Sequence, residues 1–208
     1  MSIFHRPRLY VWALAAVVLP AAPPTATLQV KSTLENLQAA YNGESNAHAK
    51  YLAYAEKAKA EGYHKVAVLF TAAARAEGIH AANHAEVIRQ MGGEPQADVK
   101  AAVVRTTREN LQDALKGESY ERDKMYPGFL AKARRDGNAD AIRTLNLARN
   151  AEIEHAKLYQ EAINNLEGWK AAGATFYVCP VCGWTASSLP AEKCPSSFTP
   201  KSRFLTIS

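Results

Sequence analysis

Cysteine is scarce and confined. The 208-residue chain has three, and all of them lie between Cys179 and Cys194. That is too few and too clustered for a disulfide framework, so the three read as one local site. A large excess of one charge sign is also missing. Lys and Arg number 25 against 20 Asp and Glu, a net +5, and two of the positives, Arg6 and Arg8, stand in the first eight residues. No basic stripe interleaved with aromatics is present, which argues against nucleic-acid binding. The apolar run from Leu9 to Leu19 is shorter than the roughly 20 residues a membrane-spanning helix needs, so no span is expected in the mature chain. At 48% hydrophobic and 22% charged the composition is that of a soluble globular protein. The length allows one sizeable core and a small extra module.

Residues 1–27 differ from the rest of the chain. A basic start (His5, Arg6, Arg8) precedes the apolar run, and Pro20, Pro23, Pro24 and small residues come after it. That is the layout of a secretory signal peptide, although prolines crowd the positions where a cleavage motif belongs. The expectation is export to the periplasm; the alternative is an uncleaved leader on a cytoplasmic protein.

From Thr33 the pattern turns helical. Ser32 or Thr33 can cap a first helix whose inward series is Leu34, Leu37, Tyr41, Glu44, His48, Tyr51, Ala55, Ala58, ending at Gly62. A second, from Tyr63, carries Val66, Phe70, Ala73, Glu77, His80, His84, Val87 and Met91, and stops at Gly92-Gly93. Residues 94–106 read as a crossover, partly helical. A third helix, from about Thr107 to Asp136, carries Leu111, Ala114, Glu118, Glu121, Met125 and Phe129, with a kink expected at Pro127. A fourth, from Asn138, carries Leu145, Ala148, Glu152, His155, Tyr159, Ala162 and Leu166. Two helical hairpins joined by one long crossover describe an all-α ferritin-like four-helix bundle over residues 33–168. After Gly173 the composition shifts to a small β/turn module, 174–208, opening on a short strand at Phe176–Val178.

The charged residues on these apolar seams are the informative ones. Glu-x-x-His occurs twice, as Glu77/His80 and Glu152/His155, and each motif presents a carboxylate and an imidazole on one helix face. One such pair alone would be an ordinary surface pair. Here each copy follows a seam glutamate: Glu77 lies 33 residues after Glu44, and Glu152 lies 34 after Glu118. Burying Glu44, Glu77, Glu118 and Glu152, with Glu121 a turn further on, would cost several kcal/mol each unless neutralised. Two divalent metals, held by these carboxylates with His80 and His155, would neutralise them, and carboxylate plus imidazole favours iron or manganese. His48 and His84 read as packing or supporting groups rather than ligands. Tyr51 and Tyr126 are either core aromatics or hydrogen-bond donors to the ligand carboxylates.

From about Thr33 onward the chain resembles rubrerythrin. The stretches that carry the likeness are Gly43-Glu44-Ser45-Asn46-Ala47, Glu77-Gly78-Ile79-His80-Ala81, Gly117-Glu118-Ser119-Tyr120-Glu121, Met125-Tyr126-Pro127, Glu152-Ile153-Glu154-His155 and Cys179-Pro180-Val181-Cys182-Gly183. The resemblance implies two non-haem irons held by Glu44, Glu77, His80, Glu118, Glu121, Glu152 and His155. It implies that one iron exchanges between Glu121 and His80 with oxidation state, and that Tyr51 and Tyr126 support the ligands. It implies reduction of hydrogen peroxide to water in defence against oxidants, by a head-to-tail homodimer. Electrons would come from an unknown donor through a C-terminal rubredoxin-like iron site. A ferroxidase using the same centre is the alternative.

The module departs from that pattern at one position. A rubredoxin-like iron takes two Cys-x-x-Cys pairs. Here the pairs are Cys179/Cys182 and Cys194/Ser197, so a serine stands where the fourth thiolate belongs. Cys179, Cys182 and Cys194 are expected to hold iron or zinc with an oxygen ligand; the alternatives are no metal, or a Cys179–Cys182 disulfide.

Overall fold

The computed structural model describes Met1, residues 31–170 and residues 173–208. The signal-peptide reading therefore lies outside the described residues, Met1 apart. Residues Lys31–Ser208 pack as one compact unit. Among the described residues no helix is long and apolar enough to cross a membrane.

Helix α1 runs Thr33–Ala60 and α2 His64–Gln90, and Gly62, at φ +81°, makes the tight turn between them. Ser32, not Thr33, caps α1: it accepts from the Glu35 amide while the Glu35 carboxylate accepts from the Ser32 amide. Thr106 and Glu109 form the same reciprocal cap on α3, Thr107–Tyr120. Helix α4 covers Tyr126–Arg135, and α5 covers Ala139–Asn164, capped by the Asn138 side chain.

The crossover contains no helix, contrary to the partly helical expectation. Three amides of α1 hold it extended. Gln38 Oε1 accepts from Gln96 N (3.3 Å), Asn42 Oδ1 from Asp98 N (2.8 Å), and Asn46 Oδ1 from Lys100 N (2.9 Å). Four residues of helix rise about 6 Å, close to the span of two extended residues, so side chains at every fourth helix position meet every second residue of the crossover.

The third seam also needs correction. Between α3 and α4, Glu121–Met125 form a π turn, in which the Tyr126 amide donates to the Glu121 carbonyl five residues back. The wider turn shifts the inward face by one residue. Tyr126, Leu130 and Ala133 are buried, whereas Met125 and Phe129, expected inside, are only partly covered. Pro127 stands at the start of α4, where its missing amide proton costs little.

Two apolar clusters lie either side of the charged layer. One is built around Tyr51, Phe70, Tyr159 and Leu111, the other around Leu37, Val87, Tyr126, Leu130 and Leu145. The first cluster extends into the C-terminal module through Phe176 and Val178. There β1 (Phe176–Val178) is the middle strand of a three-stranded antiparallel sheet, between β2 (Thr185–Ala186) and β3 (Leu205–Ile207). The module sits against the bundle of its own chain, over the helices that carry His80 and His155.

Candidate metal centre

Helices α1, α2, α3 and α5 each bring one glutamate to the layer between the clusters. Glu44, Glu77, Glu118 and Glu152 are all 0% exposed, as is His155, and His80 is 1% exposed. They form two overlapping sets whose ligand atoms lie within 4.8 Å of one another: Glu44, Glu77, His80 and Glu152, and Glu77, Glu118, Glu152 and His155. Glu77 and Glu152 belong to both sets. Two cations about one shared pair of carboxylates fit that arrangement, with Glu44 and His80 serving one and Glu118 and His155 the other.

Orphaned atoms support the fit. Glu44 Oε2, Glu77 Oε1, Glu118 Oε2, both Glu152 oxygens and His155 Nδ1 are buried without a well-aligned hydrogen bond. Acceptors converging without donors call for positive charge. The donor set is oxygen and imidazole, suited to iron or manganese. Glu121 stands apart from both sets, half-buried on the π turn. It lines a cleft of about 430 Å³ between α1, α3 and the crossover, together with Gly43, Tyr51, Lys100, Arg105 and Gly117.

Both histidines are oriented from behind. The Nε2 of His80 donates to the Cys182 carbonyl at 3.0 Å, and the Nε2 of His155 meets Thr185 Oγ1 at 3.1 Å. Each Nδ1 then faces the carboxylates, His80 at 2.8 Å from Glu77 and His155 at 2.8 Å from Glu152. A backbone or hydroxyl partner on one ring nitrogen fixes the other as the ligand. Tyr51 donates to Glu118 Oε1 at 2.6 Å, and Tyr126 donates to Glu44 Oε1.

The charges are strongly coupled. Burial, then repulsion from Glu121 and Glu77, pushes the Glu44 carboxyl well above the usual range. Burial and the Glu77 and Glu152 charges raise Glu118 to about 8. Burial opposes a charged His80, but Glu152 and Glu77 overcome it and raise the imidazole to about 10. His84 goes the other way: burial, then repulsion from His80, lowers it to about 3, so it is a neutral imidazole. His84 and His48 both stand outside the two sets. His48 Nδ1 lies 2.6 Å from the Ala74 carbonyl and pins α1 to α2.

In the module Cys179, Cys182 and Cys194 are free, fully buried, and mutually within 4.8 Å. Contacts with Cys182 and Cys194 favour the Cys179 thiolate, and the same sharing holds Cys182 protonated. Ser197 Oγ stands 3.2 Å from Cys179 Sγ and also contacts Thr199 Oγ1 at 2.8 Å. Three sulfurs therefore converge, with the Ser197 oxygen beside one of them, donor types that suit iron or zinc. The second knuckle departs from the first once more: Phe198 takes φ +61° where the first knuckle has Gly183 at +71°.

Sequence reasoning missed the residues that join the modules. Asn83 Nδ2 donates to the Val181 carbonyl at 2.9 Å, and Asn150 Nδ2 meets Ser196 Oγ at 3.2 Å. Gly183 fits against His80 so closely that a Cβ there would lie 2.3 Å from Nε2. Asn83 follows His80 by three residues on one helix face, which was the available signal; nothing in the sequence pointed to Thr185 or Asn150.

A family model described as rubrerythrin matches residues 35–163. Nigerythrin of Nitratidesulfovibrio vulgaris is 40% identical over 176 residues, covering 84% of this chain and 86% of its own. Rubrerythrin-2 of Clostridium acetobutylicum is 38% identical over 175 residues, covering 83% and 95%. The fully reduced, all-ferrous structure of nigerythrin superposes with a TM-score of 0.79 at 36% identity, over 95% of this chain and all of that one. A bacterioferritin of Desulfovibrio desulfuricans, at 22% identity and a TM-score of 0.61, shares the fold.

Proposed function

The chain belongs to the rubrerythrin family, and from that premise we propose that it is a di-iron peroxidase that reduces hydrogen peroxide to water with electrons delivered through its C-terminal module. The observation that carries this reading is the pair of overlapping donor sets sharing Glu77 and Glu152, with a thiolate knuckle hydrogen-bonded to His80.

Two irons, held by Glu44, Glu77, His80, Glu118, Glu152 and His155, with Glu121 as an additional ligand, would polarise the O–O bond and supply two electrons. The chain's own residues do the rest. Glu77 and Glu152 fix the spacing of the two sets. Tyr51 and Tyr126 hold Glu118 and Glu44 in orientation. The cleft beside Glu121 gives a small oxidant a way in. The reaction consumes two protons and two electrons per peroxide and yields two waters. The hydrogen bond from His80 to the Cys182 carbonyl links the sulfur site directly to the core.

A ferroxidase would use the same carboxylates. The docked knuckle favours the peroxidase, because storing iron requires no sulfur site against a ligand histidine. The test is anaerobic mixing of the reduced, iron-loaded protein with hydrogen peroxide. The expected result is stoichiometric consumption of one peroxide per di-iron centre and repeated turnover when a reductant is present. Consumption no faster than with the iron-free protein would overturn the reading.

A further inference from the structure

A second cleft, of about 180 Å³, opens on the opposite flank from Glu121, between α2, α5 and the module. Its lining includes Asn83, Glu86, Asp140, Arg143, Thr144 and Val181. Behind its wall a chain of hydrogen bonds runs inward. Thr144 Oγ1 lies 3.0 Å from His84 Nδ1, His84 Nε2 lies 3.1 Å from the Tyr126 hydroxyl, and Tyr126 contacts Glu44 Oε1. Thr144 is 5% exposed, while His84, Tyr126 and Glu44 are fully buried.

The polarity of this hydrogen-bond chain is set at its inner end. When Glu44 holds a metal its carboxylate is ionised and only accepts, so Tyr126 must then donate its one proton to Glu44. The Tyr126 oxygen must then accept from His84, which places the imidazole proton on Nε2. Nδ1 is left bare, and Thr144 must donate to it. The Thr144 oxygen, at the cleft wall, is then free to accept from water. Every bond points from the cleft to the core.

We propose that Thr144, His84 and Tyr126 form a proton-delivery wire from this cleft to Glu44, supplying protons that peroxide reduction consumes. A proton arriving at Thr144 Oγ1 displaces the hydroxyl proton to His84 Nδ1. The Nε2 proton moves to the Tyr126 oxygen, and the Tyr126 proton moves to Glu44 Oε1. One proton enters and one is delivered, with no net charge left on the wire. The passage leaves His84 protonated on Nδ1, so the imidazole and the two hydroxyls must turn back to the starting polarity before a second proton follows. The imidazole suits the role because it has a donor and an acceptor nitrogen on opposite edges. The wire approaches from a different flank than the cleft beside Glu121, so protons and peroxide would enter separately. Thr144, His84 and Tyr126 act on the reaction through Glu44 and are positioning residues in this scheme.

The inference rests on the peroxidase reading, and its test separates the two. Thr144→Val keeps the side-chain shape and removes the hydroxyl; His84→Gln keeps polar atoms but cannot pass a proton between them. In the iron-loaded full chain both variants should retain wild-type iron content and slow single-turnover oxidation by saturating peroxide about a hundredfold or more, the range for lost proton transfer, and the solvent isotope effect should change. A second arm needs no turnover: in the zinc-loaded protein, nitrogen NMR should show His84 as the Nε2–H tautomer, and Thr144→Val should shift the Nδ1 resonance. Wild-type rates in both variants, or an Nδ1–H tautomer, would overturn the wire and leave the peroxidase standing. A wild type that does not consume peroxide would overturn both.

Discussion

The imidazole of His80 is shared between the two modules: Nδ1 faces Glu77 and Glu152 at 2.8 and 3.1 Å, and Nε2 donates to the carbonyl of Cys182 at 3.0 Å. One side chain thus belongs both to the carboxylate cluster and to the sulfur knuckle. The contact depends on a glycine next to Cys182. Gly183 has φ +71°, and a Cβ there would lie 2.3 Å from His80 Nε2.

Gly183→Ala is therefore expected to undock the knuckle. The left-handed backbone alone costs about 1–2 kcal/mol for a residue with a Cβ, and the steric clash adds to it. Thermal unfolding should show the loss. Iron in the carboxylate core should stay, while reduction of that core through the module slows. Wild-type reduction kinetics in this variant would show that the His80–Cys182 contact carries no electrons.

Glu77 and Glu152 each belong to both donor sets, so Glu77→Ala or Glu152→Ala should remove both irons from the core and abolish peroxide turnover. Glu118→Ala touches one set and should weaken one iron more than the other. Metal analysis on folded variants distinguishes the cases. Undiminished peroxide consumption by the Glu77/Glu152 double variant would remove the basis of the proposed centre.

Ser197→Cys restores a fourth sulfur at a position where the native Oγ is 3.2 Å from Cys179 Sγ. Metal retention in the module should rise by about 10–100-fold, the scale on which even a supporting partner alters affinity. The visible spectrum of the iron form should move toward that of a four-sulfur site. If the wild type already shows the four-sulfur spectrum, oxygen ligation by Ser197 is excluded.

The apoprotein, prepared with a chelator, should lose stability as pH rises from about 6.5 to about 8. His80 is raised from 6.5 to about 10, and Glu118 from 4.5 to about 8. In that window the folded state holds more protons than the unfolded chain at both groups, so stability falls with pH. Glu77 and Glu152 are shifted down from 4.5, so they are ionised in both states there and add no slope. Loaded iron takes the place of those protons, and the loaded protein should be nearly flat over the same range. Melting temperatures of both forms at pH 6.5, 7.25 and 8 decide it; parallel slopes would contradict the shared-charge picture.

Much of this was legible in the residues themselves. Glu44, Glu77, Glu118 and Glu152 stood on apolar faces where an unpaired charge is too costly, and helical spacing brought His80 and His155 beside two of them. The tertiary structure decided what spacing cannot encode. The π turn at Glu121–Met125 moved the buried face from Met125 and Phe129 to Tyr126 and Leu130, because one wider turn displaces every later residue while leaving the local apolar pattern ambiguous. The crossover was extended because Gln38, Asn42 and Asn46 on another element satisfied its amides. The placement of Cys182 over His80, 102 residues apart in sequence, and the Thr144–His84–Tyr126–Glu44 chain arise from packing between distant elements. Sequence by itself determined which residues had to be neutralised; only the fold determined which atoms face one another, because hydrogen-bond partners across elements depend on helix rotation and docking that periodicity leaves free.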